Sequence, residues 1–135
     1  MPFGTATVLT NVGKGITAKR IIGGTSPAQT EPKFLALGTG ATAAARTANA
    51  TDTALSAELT EGRSGTNAGT TVTTTNANDT YQNINTITAT GSRAVDEGGL
   101  FDASTVGNMY VSATFAVINL LAGDSLQVTT KVQYT

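Results

Sequence analysis

Cysteine and histidine are both missing from this chain of 135 residues. Without thiols there are no disulfides and no thiolate metal sites, and cysteine usage carries no reading of the redox compartment. Without imidazole the commonest general base and the commonest metal ligand are gone. Ser-His-Asp and Cys-His arrangements are therefore impossible. Tryptophan is absent as well, and aromatic residues make up only 5%. Charged residues amount to 13%, eight Lys/Arg against nine Asp/Glu. No basic block stands out, so the electrostatic footprint of a nucleic-acid partner is missing. The longest apolar stretch, near "FAVINLLAG", falls far short of the roughly 20 residues that a membrane span needs. "MPFGTATVLT" lacks the basic start and apolar run of a signal peptide. We expect a soluble protein with no nucleic-acid or membrane partner.

What the chain has in abundance is threonine, 27 of its residues, together with 15 glycines. Thr and Val carry two heavy atoms on Cβ, which restricts χ1 against a helical turn and suits a pleated strand. Glycine supplies turns and bulges. The length suffices for one domain with a real core. These features predict an all-β protein, a β-sandwich or jelly-roll-like barrel, with at most one short helix.

Along the chain, residues 1–32 show short apolar patches broken by Gly and Pro. "TATVLT" and "GITAKRII" read either as strands or as parts of an extended N-terminal arm that lies on a partner. Residues 33–135 are expected to form a single β domain. "KFLALGTG" suits a buried strand closed by glycine. A loop with a short helical turn is expected around Asp52 to Leu59, where Leu55 and Leu59 stand at i, i+4. Asn76 to Asp79 reads as a hairpin tip between "TTVTTT" and "TYQNINTITAT". "GNMYVSATFAVINL" sets Met109, Val111, Ala113, Phe115 and Val117 on one strand face. After a turn at Ala122 to Ser125, Leu126, Val128, Val132 and Tyr134 alternate with Gln127, Thr129, Lys131 and Gln133. Two long strands joined by so short a turn predict a hairpin.

The stretch "DEGGLFDAS" brings together three of the nine acids, Asp96, Glu97 and Asp102. Paired carboxylates can serve acid/base catalysis. Across an extended "GGLF", however, Glu97 and Asp102 stand too far apart on one strand for direct partnership. The favoured reading is a strand whose Leu100 and Phe101 are buried, with acids accepting hydrogen bonds at its ends. Gly98 and Gly99 would allow a bulge or a close backbone approach. The stretch does not match a calcium loop. No Ser-x-x-Lys pair occurs, and "VGKGITAK" and "GTGA" lack the spacing of a phosphate cradle. Asn49 and Asn78 begin glycosylation triplets of the kind that arise by chance in a Thr-rich chain. No catalytic, cofactor-binding or metal-ligating residue is assigned, and no cofactor is expected.

Four segments in order, Leu35 to Gly40, Asp52 to Leu59, Glu97 to Ala103 and Ala122 to Gln133, resemble a group of small tailed-bacteriophage virion proteins. Their shared pattern is "iaiGtG", "DTALxxEl", "EaGLFDa" and "aGDSlqvt.kvq". The resemblance covers roughly the last hundred residues and implies a non-enzymatic virion structural protein. Proteins of this kind include head decoration (cement) proteins, which bind the outer surface of the shell built by the major capsid protein, and tail-fibre-like proteins. The first is the expected role. A tail or host-attachment role is the alternative. A core thin in aromatics with exposed strand edges points to a homo-oligomer; the resemblance favours a trimer, with a dimer as the alternative. We expect Phe3, Val8, Leu9, Ile21 and Ile22 of the arm to carry partner contacts. The run Glu97, Gly98, Gly99, Leu100, Phe101, Asp102 would be a structural landmark rather than an active site.

Overall fold

A computed structural model describes residues 7–21 and 30–135. Among these residues seven strands form, β1 (Thr7–Leu9), β2 (Phe34–Gly38), β3 (Thr70–Val72), β4 (Thr80–Thr88), β5 (Arg93–Phe101), β6 (Met109–Leu120) and β7 (Ser125–Gln133), with one helix, α1 (Asn11–Ile21). They build a four-stranded sheet in the order β1-β6-β5-β2 and a three-stranded sheet in the order β3-β4-β7. Every pairing is antiparallel. The fold is all-β, as the threonine and valine content predicts.

Alternation decides where the core lies. In β2, Leu35 and Leu37 point between the sheets, where they meet Val95, Leu100 and Val111 from their own sheet and Ile87 and Val128 from the other. Ala36, between them, points to the opposite face and joins Phe101, Met109 and Leu55 in a second, smaller cluster. Burying each of these leucine or phenylalanine side chains contributes about 1.5–3 kcal/mol. The expected hairpin tip forms: β3 and β4 pair from Val72↔Thr80 outwards. There Asp79 accepts hydrogen bonds from the backbone N–H groups of Thr74, Thr75 and Asn76.

The hairpin expected of the last third does not form. β6 pairs with β5 and β1, whereas β7 pairs with β4. With both edges of its first half engaged, β6 leaves no room there for β7, and the turn at residues 121–124 crosses between sheets instead. That crossing is tied to the β4–β5 crossing. Ala89 N–H donates to the Asp124 carbonyl and Gly123 N–H to the Ala89 carbonyl, both at 2.8 Å.

Alternation along β6 is also interrupted. A register shift lets Leu100 pair with Val111 and Phe101 with Met109, which leaves Tyr110 as the extra residue of a bulge. Met109 and Val111 consequently enter different clusters. Val117, expected on the same face, is exposed.

Two further expectations are overturned. Residues 15–21 of "GITAKRII" are not a strand: Thr10 caps a helix that runs through them. The Thr10 hydroxyl accepts from Gly13 N–H at 2.9 Å and its carbonyl accepts from Lys14 N–H at 2.9 Å. A good cap outweighs the modest strand preference of Ile and Thr. The same hydroxyl donates to the Met109 carbonyl, which joins α1 to β6. A Cβ at position 13 would collide with the Tyr110 carbonyl, so Gly13 lets the helix approach the strand backbone. No helical turn forms over residues 52–59. Leu55 and Leu59 are both buried, but in different clusters, which one helical face does not allow.

The expected arm thus contains residues paired into the body. Val8 and Leu9 lie half-buried in β1, opposite Ser112 and Val111. Ile21 ends α1. Phe3 and Ile22 lie outside the described residues.

Candidate functional site

All three acids of "DEGGLFD" turn inward, and each holds a different loop. Glu97 is fully buried on β5, opposite Gly38 of β2. Its Oε2 accepts from Arg46 Nη1 at 2.7 Å and its Oε1 from Ala57 N–H at 3.1 Å. Arg46 in turn donates from Nη2 to Asp52 Oδ2 at 2.6 Å and to Ser112 Oγ at 3.1 Å. Ser112 donates to the same Asp52 oxygen at 2.6 Å. A Cβ at position 38 would stand 2.7 Å from Glu97 Oε1, so only glycine leaves room for the carboxylate. Ser112 is fully buried and its neighbouring carboxylate is already held by Arg46. This network joins loops to a sheet.

Asp96 points at the turn after β2. It accepts from Ala41 N–H at 3.1 Å and Thr42 N–H at 2.7 Å. Burial alone would push this carboxyl up, but the two N–H groups and the Thr42 hydroxyl outweigh it, and the net direction is down. The Ala41 N–H that closes "GTGA" and the Thr42 N–H after it are therefore occupied by the protein's own carboxylate. Asp102 closes the loop between β5 and β6. Its two oxygens accept from Asn108 N–H at 2.6 Å and Asn108 Nδ2 at 2.9 Å.

That last loop is held from a second side. Arg63 lies over the Phe101 ring, 3.5 Å from its centroid, and donates to the Ala103 carbonyl at 3.0 Å and the Val106 carbonyl at 2.6 Å. Glu58 fixes the guanidinium at 2.8 Å. The loop so pinned presents Val106, 87% exposed and at φ 56°. A β-branched residue in the left-handed region is strained, since its Cβ crowds the following carbonyl. The fixed anchors on both sides hold it there.

The covering loop along β2 has its own lock. Glu61 accepts from Thr90 N–H and from the Arg93 guanidinium, which draws its carboxyl down to about 2. Residues 57–64 thereby stay against the β2 edge, where Ser64 and Leu35 exchange hydrogen bonds and Leu59 N–H donates to Leu37.

A second region was not anticipated from the sequence. All three tyrosines of the chain, Tyr81, Tyr110 and Tyr134, line one open cleft of about 750 Å³ beside α1. Tyr81 and Tyr110 meet edge to face, with centroids 6.1 Å apart. The phenol hydroxyls are engaged within the protein. Tyr81 donates to the Pro32 carbonyl at 2.8 Å, Tyr110 and Tyr134 share a hydrogen bond, and Thr17 stands 3.4 Å from both of those oxygens. Burial, chiefly, pushes the Tyr81 and Tyr110 phenols above their ordinary range, so both rings are neutral at physiological pH. The signal in the sequence was the scarcity of tyrosine itself, but nothing in the spacing of Tyr81 in β4, Tyr110 in β6 and Tyr134 just past β7 brings them together. Likewise Arg46, the only Lys or Arg between Lys33 and Arg63, was a visible singleton whose partners could not be read.

Among the described residues no group of three or more Asp and Glu could hold a metal ion, and no helix is long and apolar enough to cross a membrane. Taken together, fold and site define an all-β sandwich whose buried acids latch its own loops. Comparison of the chain with protein-family models, with curated proteins and with solved structures gives no match.

Proposed function

We propose that this protein is a non-enzymatic structural component of a tailed-bacteriophage virion, a decoration (cement) protein bound as a homo-oligomer, preferably a trimer, to the outer surface of the major capsid shell. The family likeness of the four ordered segments motivates the reading. One observation carries it further: the landmark stretch serves to present an apolar side chain. Asp102 and Arg63 hold the 103–107 loop from two sides, and Val106 stands out from it under strain. Backbone strain that the surrounding structure maintains tends to accompany function. A rigid apolar anchor loses little entropy on docking, which suits a contact repeated over a shell. Leu121, 65% exposed at the β6–β7 crossing, is a second candidate contact. Val8 and Leu9, paired into the body, serve partner binding less well than Val106 does.

The test is binding of purified protein to purified heads, with copy number read by imaging of the labelled protein. Saturation at on the order of hundreds of copies per particle supports shell decoration. Val106→Asp should abolish that binding while the circular dichroism spectrum stays unchanged. Copies near a dozen, or undiminished binding by Val106→Asp, would overturn the assignment. A tail or host-attachment role is the second reading, and the open tyrosine cleft favours it, because such a cleft is where a small ligand would sit.

A further inference from the structure

We propose that the tyrosine cleft binds an organic cation, an alkylammonium group carried on an apolar body. This inference does not depend on the virion reading. The cleft is lined by Ile16, Pro32, Tyr81, Tyr110 and Tyr134, with Glu31, Thr71 and Asn78 among its polar residues. Its size falls within the usual range of sites for small organic ligands.

Three observations narrow the ligand. First, the phenol oxygens are spent on one another, on Thr17 and on Pro32, so the cleft offers the ring surface of half-buried Tyr81 and exposed Tyr134, with buried Tyr110 behind them, rather than free hydroxyls. A polyol would need hydrogen-bonding groups that are already committed. A ligand with a carbon surface does not. Second, Glu31 is the one formally charged residue among the described lining, so the cleft favours positive charge and disfavours anions. Third, that carboxylate is fixed rather than mobile. Its Oε1 accepts from Gly69 N–H and lies 3.4 Å from the Tyr81 hydroxyl oxygen, while Oε2 has no hydrogen bond from the described residues. Aromatic rings beside a carboxylate form the arrangement that recognises alkylated ammonium groups.

The chain supplies its own reporter. It has no tryptophan, and its only tyrosines line the cleft, so intrinsic emission comes from the site alone. The probes are choline, the bulkier benzyltrimethylammonium, and 3,3-dimethylbutan-1-ol, the uncharged counterpart of choline, all at constant ionic strength. We expect a saturable change in tyrosine emission with choline at a dissociation constant on the order of 1 mM. Benzyltrimethylammonium should bind more tightly, and the neutral alcohol on the order of tenfold more weakly. Glu31→Gln should weaken choline binding by about fivefold and Tyr134→Ala by about tenfold. Tyr134→Phe should stay within about twofold, because the ring is retained. Phosphatidylcholine vesicles present the same group on a lipid. Cosedimentation lost in Tyr134→Ala would identify a headgroup as the source, and choline binding without cosedimentation a free ligand. No saturable change with either cation, confirmed by calorimetry, would overturn the proposal. So would equal binding of the neutral alcohol, or choline affinity untouched by both Glu31→Gln and Tyr134→Ala.

Discussion

In the four-stranded sheet the buried polar side chains are carboxylates, Asp96, Glu97 and, just past the strand end, Asp102, with Ser112 beside them; in the three-stranded sheet they are Thr80, Asn83, Asn85 and Thr130. The difference follows from what each sheet has to hold. A carboxylate only accepts, so it suits loop N–H groups that have no ladder partner, such as those of Ala41, Thr42, Ala57 and Asn108. An amide both donates and accepts. Asn85 accepts from Asn67 N–H at 3.1 Å and donates to the Lys33 carbonyl at 2.9 Å, which joins two passing segments at once. Among buried side chains, one sheet is thus fastened to its loops by charge and the other by neutral amides and hydroxyls; the carboxylate of the three-stranded sheet, Asp79, sits only half-buried at the hairpin tip. Removing a buried charge partner is more costly than removing a neutral one.

The largest effect should come from removing the fully buried member of the Asp52–Arg46–Glu97 ion network. Glu97→Ala leaves Arg46 without its buried partner and should cost about 3–5 kcal/mol, read by denaturant unfolding. Asn85→Ala, at an equally buried site in the neutral sheet, should cost about 1–3 kcal/mol. If the two losses are equal, charge is not what distinguishes the sheets. Asp102→Asn retains an acceptor but loses charge, and should cost about 1 kcal/mol. At the small end, Val106→Gly relieves the left-handed strain and should stabilise the body by up to about 1 kcal/mol, while head binding falls.

Acid sharpens the contrast further. Asp96 and Glu61 titrate below their ordinary values, so the folded state holds fewer protons than the unfolded chain. Their contribution is complete above the ordinary carboxylate range and is lost as pH falls. For Glu61 the window runs from 4.5 down to about 2. Thermal melts should therefore fall across that window in wild type. Asn85→Ala should follow the same profile, offset downward, because Asn85 does not titrate. A melting temperature flat across the window would contradict the latch role of these acids.

Some of this was legible in the sequence. Thr and Val content gave the all-β class, and strict alternation in β7 put Val128 inside and Lys131 outside. The tip at Asn76 to Asp79 followed from turn chemistry, and the burial of Leu100 and Phe101 from their apolar flank. Two misses were local, the Thr10 cap that starts α1 and the helical turn expected at residues 52–59; the others depended on long-range pairing. The turn at residues 121–124 looks the same locally whether its strands pair or part, and only the engagement of β6 by β5 and β1 decides it. The bulge at Tyr110 likewise has no local signature. Reading "DEGGLFD" as a buried strand whose acids accept hydrogen bonds matched the structure for Leu100, Phe101 and Asp102, but Asp96 and Glu97 stand in the middle of β5 rather than at its end, and their partners, Arg46, Ala57 and Thr42, come from segments that local patterns cannot bring together. Tyr81, Tyr110 and Tyr134 were hidden for the same reason.

The claim that the β5 acids serve the protein's own loops is tested most directly by native-state hydrogen exchange on Glu97→Gln. If Glu97 is a latch, amides across residues 46–59 lose protection while those of β4 and β7 keep theirs. Unchanged protection over residues 46–59, or an equal loss throughout both sheets, would contradict it.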